Sequence, residues 1–255
     1  MIENKIQISS SSDVGRRRAG NEDSYRVVTV EDLPGDADAI FVVADGMGGH
    51  AAGEVASQMA VDSVIATLTS GAVSFTLEDP DLRETLNAAL LKANDEVIEE
   101  GVRSPEKSGM GTTCTLGVIR GGSLLIGHIG DSRGYLLRDG ALDRITDDHS
   151  VVEEEVRKGL LTPEEAWNDP RRNLVTRAIG LDDDPEVDTT SVPLKPGDRI
   201  MFCSDGLNSM IQDPEIEEIL SQGDAGNAVQ ALIDAANEAG GSDNITVVVA
   251  DVIRL

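Results

Sequence analysis

Apolar residues fall into short runs and alternating segments that predict β-strands. One apolar run covers residues 41–44, and loosely alternating segments cover 112–119 and 123–129. Gly121-Gly122 lies between the last two segments, which indicates a tight hairpin. The remaining strand signals are 134–138 and 141–145, which flank Asp139-Gly140 as a second hairpin, then 199–204 and 244–252.

Three other segments carry apolar residues at helical spacing. They cover 55–68, 82–97 and 229–236, and the last approaches Gly240-Gly241, a typical helix stop. Each helix has one apolar stripe, so each must pack on another layer. Because successive hairpins imply antiparallel sheets, the pattern predicts an α+β fold of sheets covered by helices. The pattern leaves the order of the layers open.

The segment from about 147 to 185 differs from the rest of the chain. It holds short helical stretches, a helix start at Thr162-Pro163-Glu164-Glu165 and a break at Asp169-Pro170. We interpret it as an excursion from the sheet core. No linker composition interrupts the chain, so 1–255 is predicted to be one domain.

Composition narrows the possible partners and compartments. The formal net charge of −26 argues against nucleic acid and anionic membranes. No apolar run approaches the ~20 residues of a membrane span, and residues 1–12 lack a targeting core, so a soluble cytoplasmic chain is expected. Cys114 and Cys203 lie in strand-like runs without zinc-site spacing, which indicates buried reduced thiols and fits a reducing compartment.

Several aspartates lie beside predicted strands. Asp45 and Asp205 each follow an apolar run, and Asp243 precedes one, while Asp23 and Asp131 flank other apolar strands or turns. Carboxylates drawn together repel each other unless cations lie between them, and hard oxygen ligands favour magnesium or manganese over zinc. Taken singly, an Asp-Gly pair is common turn chemistry, so only the whole set predicts a metal site.

An arginine accompanies these acids. Arg18 lies four residues before Glu22, and cation-binding carboxylates with an arginine fork suit a phosphate monoester. A solvated basic turn is the alternative for all three arginines, and it is the interpretation for Arg16 and Arg17.

Six short motifs then follow one another along the chain. They are Arg18-Ala19-Gly20-Asn21-Glu22-Asp23; Asp45-Gly46-Met47-Gly48-Gly49-His50; Gly111-Thr112-Thr113; Gly130-Asp131-Ser132-Arg133 with Asp205-Gly206-Leu207; and Gly241-Ser242-Asp243-Asn244-Ile245-Thr246. In order and spacing the chain resembles the bacterial branch of the metal-dependent protein serine/threonine phosphatases of type 2C (the PPM family), from about residue 9 to residue 252.

The resemblance implies a four-layer αββα sandwich with a metal cluster in a cleft at one end, and it implies that residues 147–185 form a flap. It implies two core Mn²⁺ or Mg²⁺ ions bridged by Asp45, and a weaker third ion. The other implied metal ligands are the carbonyl of Gly46, then Asp205 and Asp243, and Asp131 for the third ion.

Further roles follow from the same resemblance. Glu22 and Asp23 match positions that hold metal-bound waters, Arg18 matches the phosphate-binding arginine, and Asn173 falls near a flap position that approaches the third metal. The implied reaction is hydrolysis of phosphoserine and phosphothreonine in proteins by a water that two metals activate. The implied partners are phosphoproteins, including a bacterial Ser/Thr kinase, and the chain is expected to be a monomer that binds no nucleic acid.

The general acid stays open. Relatives outside the bacterial branch carry a histidine where this chain has Met47, so that assignment does not transfer. His50 is the nearest candidate for the general acid. An equal alternative is that His50 holds the glycine-rich loop by hydrogen bonding, and a metal-bound water is another possible source of the proton. His128 and His149 are interpreted as structural.

Three other functions compete with this interpretation. The same site could hydrolyse small phosphorylated metabolites. A non-catalytic binding domain is disfavoured because Asp45, Asp205 and Asp243 are all present. A phosphatase of an anti-sigma-antagonist type of regulator would carry a sensor domain, which the chain does not contain.

Overall fold

The computed structural model describes residues 5–33, 37–48, 52–71, 73–75 and 78–255. The strands are β1 (Ile6–Asp13), β2 (Asp23–Thr29), β3 (Ala37–Met47), β4 (Gly111–Thr112), β5 (Cys114–Arg120), β6 (Ser123–Ile129), β7 (Arg133–Arg138), β8 (Ala141–Arg144), β9 (Asp188–Pro193), β10 (Arg199–Cys203) and β11 (Ile245–Val252). The α-helices are α1 (Ala52–Thr69), α2 (Asp79–Arg103), α3 (Val151–Arg157), α4 (Pro163–Asn168), α5 (Asp205–Asn208), α6 (Asp213–Leu220) and α7 (Ala225–Glu238).

Two antiparallel sheets form the centre of the fold. One has the strand order β1-β11-β10-β7-β8, and the other has the order β2-β3-β5-β6-β9 with β4 added beside β3. The hairpins predicted at Gly121-Gly122 and Asp139-Gly140 are confirmed as β5–β6 and β7–β8. The predicted αββα sandwich is confirmed as well, because helices cover the outer face of each sheet.

Alternating side chains of β3 show how the layers are held together. Phe41 and its same-face neighbours point between the sheets, where its ring meets Phe202 edge to face at 4.8 Å between centroids. Val42 and its same-face neighbours point to the other side, against α1 and α2. A strand buried on both faces reads as a continuous apolar run, which is why 41–44 was conspicuous in the sequence. On the other side of the sandwich, apolar residues of α7 such as Leu232 pack against the outer face of the sheet that contains β10 and β11.

Two sequence predictions need correction or extension. Asp45 was expected to follow its strand, but β3 continues through it to Met47 because Gly46 and Met47 pair with β4. Strands β1 and β9 had no apolar signal because both are half-buried edge strands, and β1 contains four consecutive serines.

The segment 147–185 connects β8 to β9. Its helices are α3 and α4, and α4 starts with a capping box between Thr162 and Glu165, as Thr162-Pro163-Glu164-Glu165 predicted. Ile179 returns to the sheet through a bridge with Thr112. In the described part of the chain, no helix is both long and apolar enough to cross a membrane.

The contact between Phe41 and Phe202 yields a stability prediction. A Cβ added at Gly117 would lie 2.6 Å from Cε2 of Phe41 and 3.0 Å from Cε2 of Phe202. Because both rings are enclosed between the sheets, Gly117→Ala should lower the free energy of unfolding by about 1–3 kcal/mol. Urea denaturation of Gly20→Ala is the control, since a Cβ at Gly20 meets nothing within 4 Å. Equal midpoints for the two variants would contradict this packing.

Candidate active site

Five aspartates meet at one end of the sandwich, although they come from distant parts of the chain. Asp23 and Asp45 face each other across β2 and β3. Asp205 begins α5 directly after β10, and Asp243 lies two residues before β11. Asp131 occupies the turn between β6 and β7. Asp45 lies close enough to the other four aspartates for their charges to raise its pKa.

Burial and the charges of neighbouring acids raise the pKa values of Asp23, Asp45, Asp131 and Asp205. Burial raises the pKa of Asp45 well above its usual value, and the charges of the other four raise it further. Burial, and then the charge of Asp205, also raise the pKa of Asp131 well above its usual value. Burial and the charge of Asp243 raise the pKa of Asp205 to about 6, although a hydrogen bond with Asp45 lowers it. The fold therefore creates a site whose negative charge needs protons or cations for neutralisation.

Asp23 joins the two sheets beneath this site. Its Oδ2 accepts hydrogen bonds from Ser204 Oγ at 2.7 Å and from Thr246 Oγ1 at 2.6 Å. Its Oδ1 is buried without a hydrogen-bond partner. Burial raises the pKa of Asp23 to about 7, although both hydroxyl groups lower it. A buried carboxylate oxygen without a partner is costly unless an ion or an ordered water satisfies it.

Backbone contacts hold Asp45 and Gly46 in position. Thr113 Oγ1 accepts a hydrogen bond from the Asp45 N–H at 2.9 Å, and Thr112 Oγ1 donates to the Asp45 carbonyl at 2.9 Å. The Gly46 N–H donates to the Glu22 carbonyl at 3.1 Å. A Cβ at Gly46 would lie 2.2 Å from the Gly53 carbonyl oxygen, so no larger residue fits at this point of the turn.

Arg18 lies at the rim of the cluster. Its Nη2 donates to Asp243 Oδ2 at 2.6 Å, while 49% of its side chain stays exposed. Asn244 fixes the loop that carries it, because the Asn244 Oδ1 accepts from the Glu22 N–H at 2.7 Å and its Nδ2 donates to the Gly20 carbonyl at 2.9 Å. The guanidinium is thus aimed at the acids by one contact, and its other N–H groups are left for a ligand.

A cavity of about 630 Å³ lies beside the cluster and is lined in part by the segment 147–185, which is called the flap below. Asp131 and Asp205 line its inner side, and Arg172 and Asn173 line it from the flap. The structure therefore brings Asn173 to the same cavity as Asp131, as an exposed residue of a turn after α4.

The donor set fits hard divalent cations in its chemistry. The acidic groups that meet here offer carboxylate oxygens, which are ligands that Mg²⁺ and Mn²⁺ prefer. In the described residues, no three His, Cys, Asp or Glu side chains already stand as a metal-binding group. The fit thus rests on the unpartnered oxygen of Asp23 and on the raised carboxyl pKa values.

Other candidates lie apart from the cluster or outside the described residues. His50 belongs to the residues that the structure does not describe, while Met47 ends β3 half-buried. His128 and His149 are buried, burial lowers the pKa of both, and neither lines the cavity beside Asp131. His149 Nδ1 accepts a hydrogen bond from the Gly130 N–H at 3.1 Å. Cys114 and Cys203 are buried free thiols whose pKa values burial raises.

Sequence reasoning missed the residues that support the acids. These are buried hydroxyl and amide side chains, namely Thr112, Thr113, Ser132, Ser204, Asn244 and Thr246. Thr113 Oγ1 and Ser132 Oγ lie 2.8 Å apart and so join the Asp45 strand to the Asp131 turn. Five of these six residues lie inside the sequence motifs that contain the acids or accompany them, and Ser204 directly precedes the motif that begins with Asp205. This closeness in sequence could have indicated that they support a metal ligand.

The raised carboxyl pKa values predict how metal-free stability depends on pH. The folded state binds more protons than the unfolded state between the ordinary pKa of Asp205 and about 6, so stability falls as pH rises through this window. In EDTA at pH 8, Asp205→Asn should therefore raise the free energy of unfolding by about 1–3 kcal/mol, and the gain should vanish near pH 4.

Urea denaturation at both pH values measures this effect. The exposed turn substitution Asp139→Asn removes one negative charge away from the cluster and is the control. A gain of equal size in both variants would trace the effect to net charge and contradict the site's own repulsion.

Comparison with known proteins places this geometry in a family. The profile described as protein phosphatase 2C matches residues 16–245. The serine/threonine phosphatase Stp of Listeria monocytogenes is 38% identical over 241 residues, which cover 94% of this chain and 93% of the relative. The serine/threonine protein phosphatase PstP of Mycobacterium tuberculosis is 41% identical over 97% of this chain, which spans 45% of that protein.

A solved structure agrees with the fold. The PstP catalytic domain in complex with two manganese ions superposes with a TM-score of 0.83 at 40% identity, and the match covers 98% of this chain and 99% of that chain. Because the family profile and near-full-length relatives cover the whole carboxylate cluster, the chain belongs to the protein phosphatase 2C family.

Proposed function

We propose that this chain hydrolyses phosphoserine and phosphothreonine in proteins and depends on Mn²⁺ or Mg²⁺. The observation that carries the proposal is the cluster around Asp45, in which buried carboxylates repel each other beside an exposed, oriented arginine. A relative with two manganese ions and relatives named serine/threonine phosphatases support it.

The proposed ion-holding groups are those that meet at the cluster. They are the side chains of Asp45, Asp205 and Asp243, the Gly46 carbonyl, and Asp131 for a weaker third ion. Glu22 and Asp23 lie behind them, and Asn173 faces the same cavity from the flap. When bound, the ions would neutralise the acids, act as Lewis acids on the phosphate and activate a water.

Arg18 is the proposed phosphate-binding residue. Its hydrogen bond to Asp243 fixes the direction of the guanidinium, and its exposed edge can donate two parallel hydrogen bonds to phosphate oxygens. Such donors stabilise the charge that builds up on the equatorial oxygens during transfer. The leaving alkoxide also needs a proton, which Met47 cannot donate, so His50 and solvent are the candidate donors.

The proposed substrates are phosphoproteins, including a Ser/Thr kinase of the same bacterial cell. The flap beside the site supports a protein substrate, since it widens the surface that a peptide can contact. Buried reduced thiols support action in the cytoplasm, and we propose a monomer there. Small phosphorylated metabolites are the second candidate substrates, and parallel assays with a phosphothreonine peptide and a sugar phosphate separate the two classes.

The carboxylates yield a prediction about catalysis. Asp45→Asn and Asp205→Asn should each lower Mn²⁺-dependent hydrolysis of p-nitrophenyl phosphate and phosphothreonine peptides by more than about 100-fold, beyond the effect of residues that only support a ligand. EDTA should abolish activity of the unmodified chain, and excess Mn²⁺ should restore it.

Initial rates of phosphate release measure both effects, with Asp139→Asn as the matched control. Activity that survives either cluster substitution, or that EDTA leaves unchanged, would contradict the proposed metal assignment.

Arg18 yields a separate prediction about substrate binding. Arg18→Lys keeps the charge but loses the planar fork, so KM for p-nitrophenyl phosphate should rise about tenfold. Arg17→Lys is the control, because among the residues that the structure describes no hydrogen bond or ion pair connects the Arg17 side chain to the cluster. If the two variants show the same KM, Arg18 does not bind the phosphate.

A further inference from the structure

The tip of the flap, residues 158–173, is attached to the body of the protein at one point. Trp167 Nε1 donates a hydrogen bond to the backbone carbonyl of Asn208 at 3.2 Å. In the described chain, every other hydrogen bond and ion pair of residues 158–173 stays within the flap. Trp167 is also the chain's one tryptophan, so this contact has a unique donor.

Internal contacts make the flap tip a stiff unit. Arg171 donates to both carboxylate oxygens of Glu155 in α3 and also pairs with Asp169. The capping box of Thr162 and Glu165 fixes the start of α4. A stiff unit with one outside hydrogen bond takes its position relative to the body from that bond and from the packing around it.

Arg172 moves with Trp167. Its Nη1 donates to the Trp167 carbonyl at 3.0 Å, and its Cζ lies 5.7 Å from the centroid of the indole ring, within cation–π range. Arg172 lines the cavity that Asp205 borders, and its positive charge lowers the pKa of Asp205. The position of Trp167 therefore sets where a flap cation stands beside the acids.

The acceptor end of the hydrogen bond lies on the site itself. Asn208 closes α5, the four-residue helix that begins with Asp205. The flap tip is thus fixed to the element that carries a proposed metal ligand. The cavity between these elements lies beside Asp205, where it could receive a substrate segment next to the phosphoresidue, whereas a small aryl phosphate would need only the cluster.

We propose that Trp167 is a positioning residue for protein substrates, because its hydrogen bond to Asn208 holds the flap tip and Arg172 at the cavity beside Asp205. The role in protein-substrate binding rests on the proposed function. The attachment of the flap tip through the Trp167–Asn208 hydrogen bond, called the tether below, does not. Loss of the indole N–H should weaken binding of a phosphopeptide while the chemistry on an aryl phosphate is kept.

The test compares Trp167→Phe, which keeps an aromatic ring over Arg172, with Trp167→Ala, which removes the ring. In the metal-free full chain, hydrogen exchange of peptides from 158–173 should become about 3- to 10-fold faster in Trp167→Phe and faster still in Trp167→Ala. With Mn²⁺, KM for a phosphothreonine peptide should rise by about the same factor, while kcat/KM for p-nitrophenyl phosphate stays within about twofold.

Leu160→Ala is the matched control, since it truncates an apolar side chain of the same loop that is 69% exposed. It should leave exchange and both substrates unchanged. Unchanged exchange in Trp167→Phe would overturn the tether, and equal losses on both substrates would overturn the role in protein-substrate binding. If the unmodified chain hydrolysed neither substrate, the proposed function and the substrate role would fall, while exchange would still decide the tether.

Discussion

Repulsion among buried carboxylates at one end of the sandwich is the constraint on which the site depends. Asp23 and Asp45 come from one sheet, and Asp205 and Asp243 lie at the ends of strands in the other. Packing the two sheets face to face brings the acids together whether or not their charges favour it. The apolar core that Phe41 and Phe202 form provides the free energy of folding that opposes this repulsion.

Hydroxyl groups limit the cost of this arrangement. Ser204 and Thr246 both donate to Asp23 from the opposite sheet, and Thr113 and Ser132 connect the Asp45 strand with the Asp131 turn. Ser204 and Thr246 both satisfy Oδ2 of Asp23, and Thr113 accepts a hydrogen bond from the Asp45 N–H, so the Asp23 side chain and the Asp45 backbone are held in place before any ligand arrives. Oriented charges of this kind gain more from a bound cation than mobile ones, because no side-chain entropy is lost on binding.

Much of the fold followed from local patterns, while the supporting contacts did not. Periodicity predicted the two hairpins and the helices α1, α2 and α7, because the residues of each element are close in sequence. The acids could be predicted because each lies within a short local motif. The extension of β3 through Asp45 depends on pairing with Gly111 and Thr112, more than 60 residues away. The bond from Trp167 to Asn208 joins a side chain to a carbonyl 41 residues later, and a backbone acceptor leaves no trace in a sequence.

The same electrostatics implies an order of binding. At a pH high enough to ionise them, five carboxylates outweigh the guanidinium groups of Arg18 and Arg172, so the cluster alone then repels a phosphate, and the net charge of −26 adds to that repulsion. Two divalent ions, as in the manganese-bound relative, would reverse the local sign. Only then would the field of the site attract a phosphoryl group, and Arg18 would add to that attraction. The repulsion built into the fold would thus make substrate binding depend on prior cation binding.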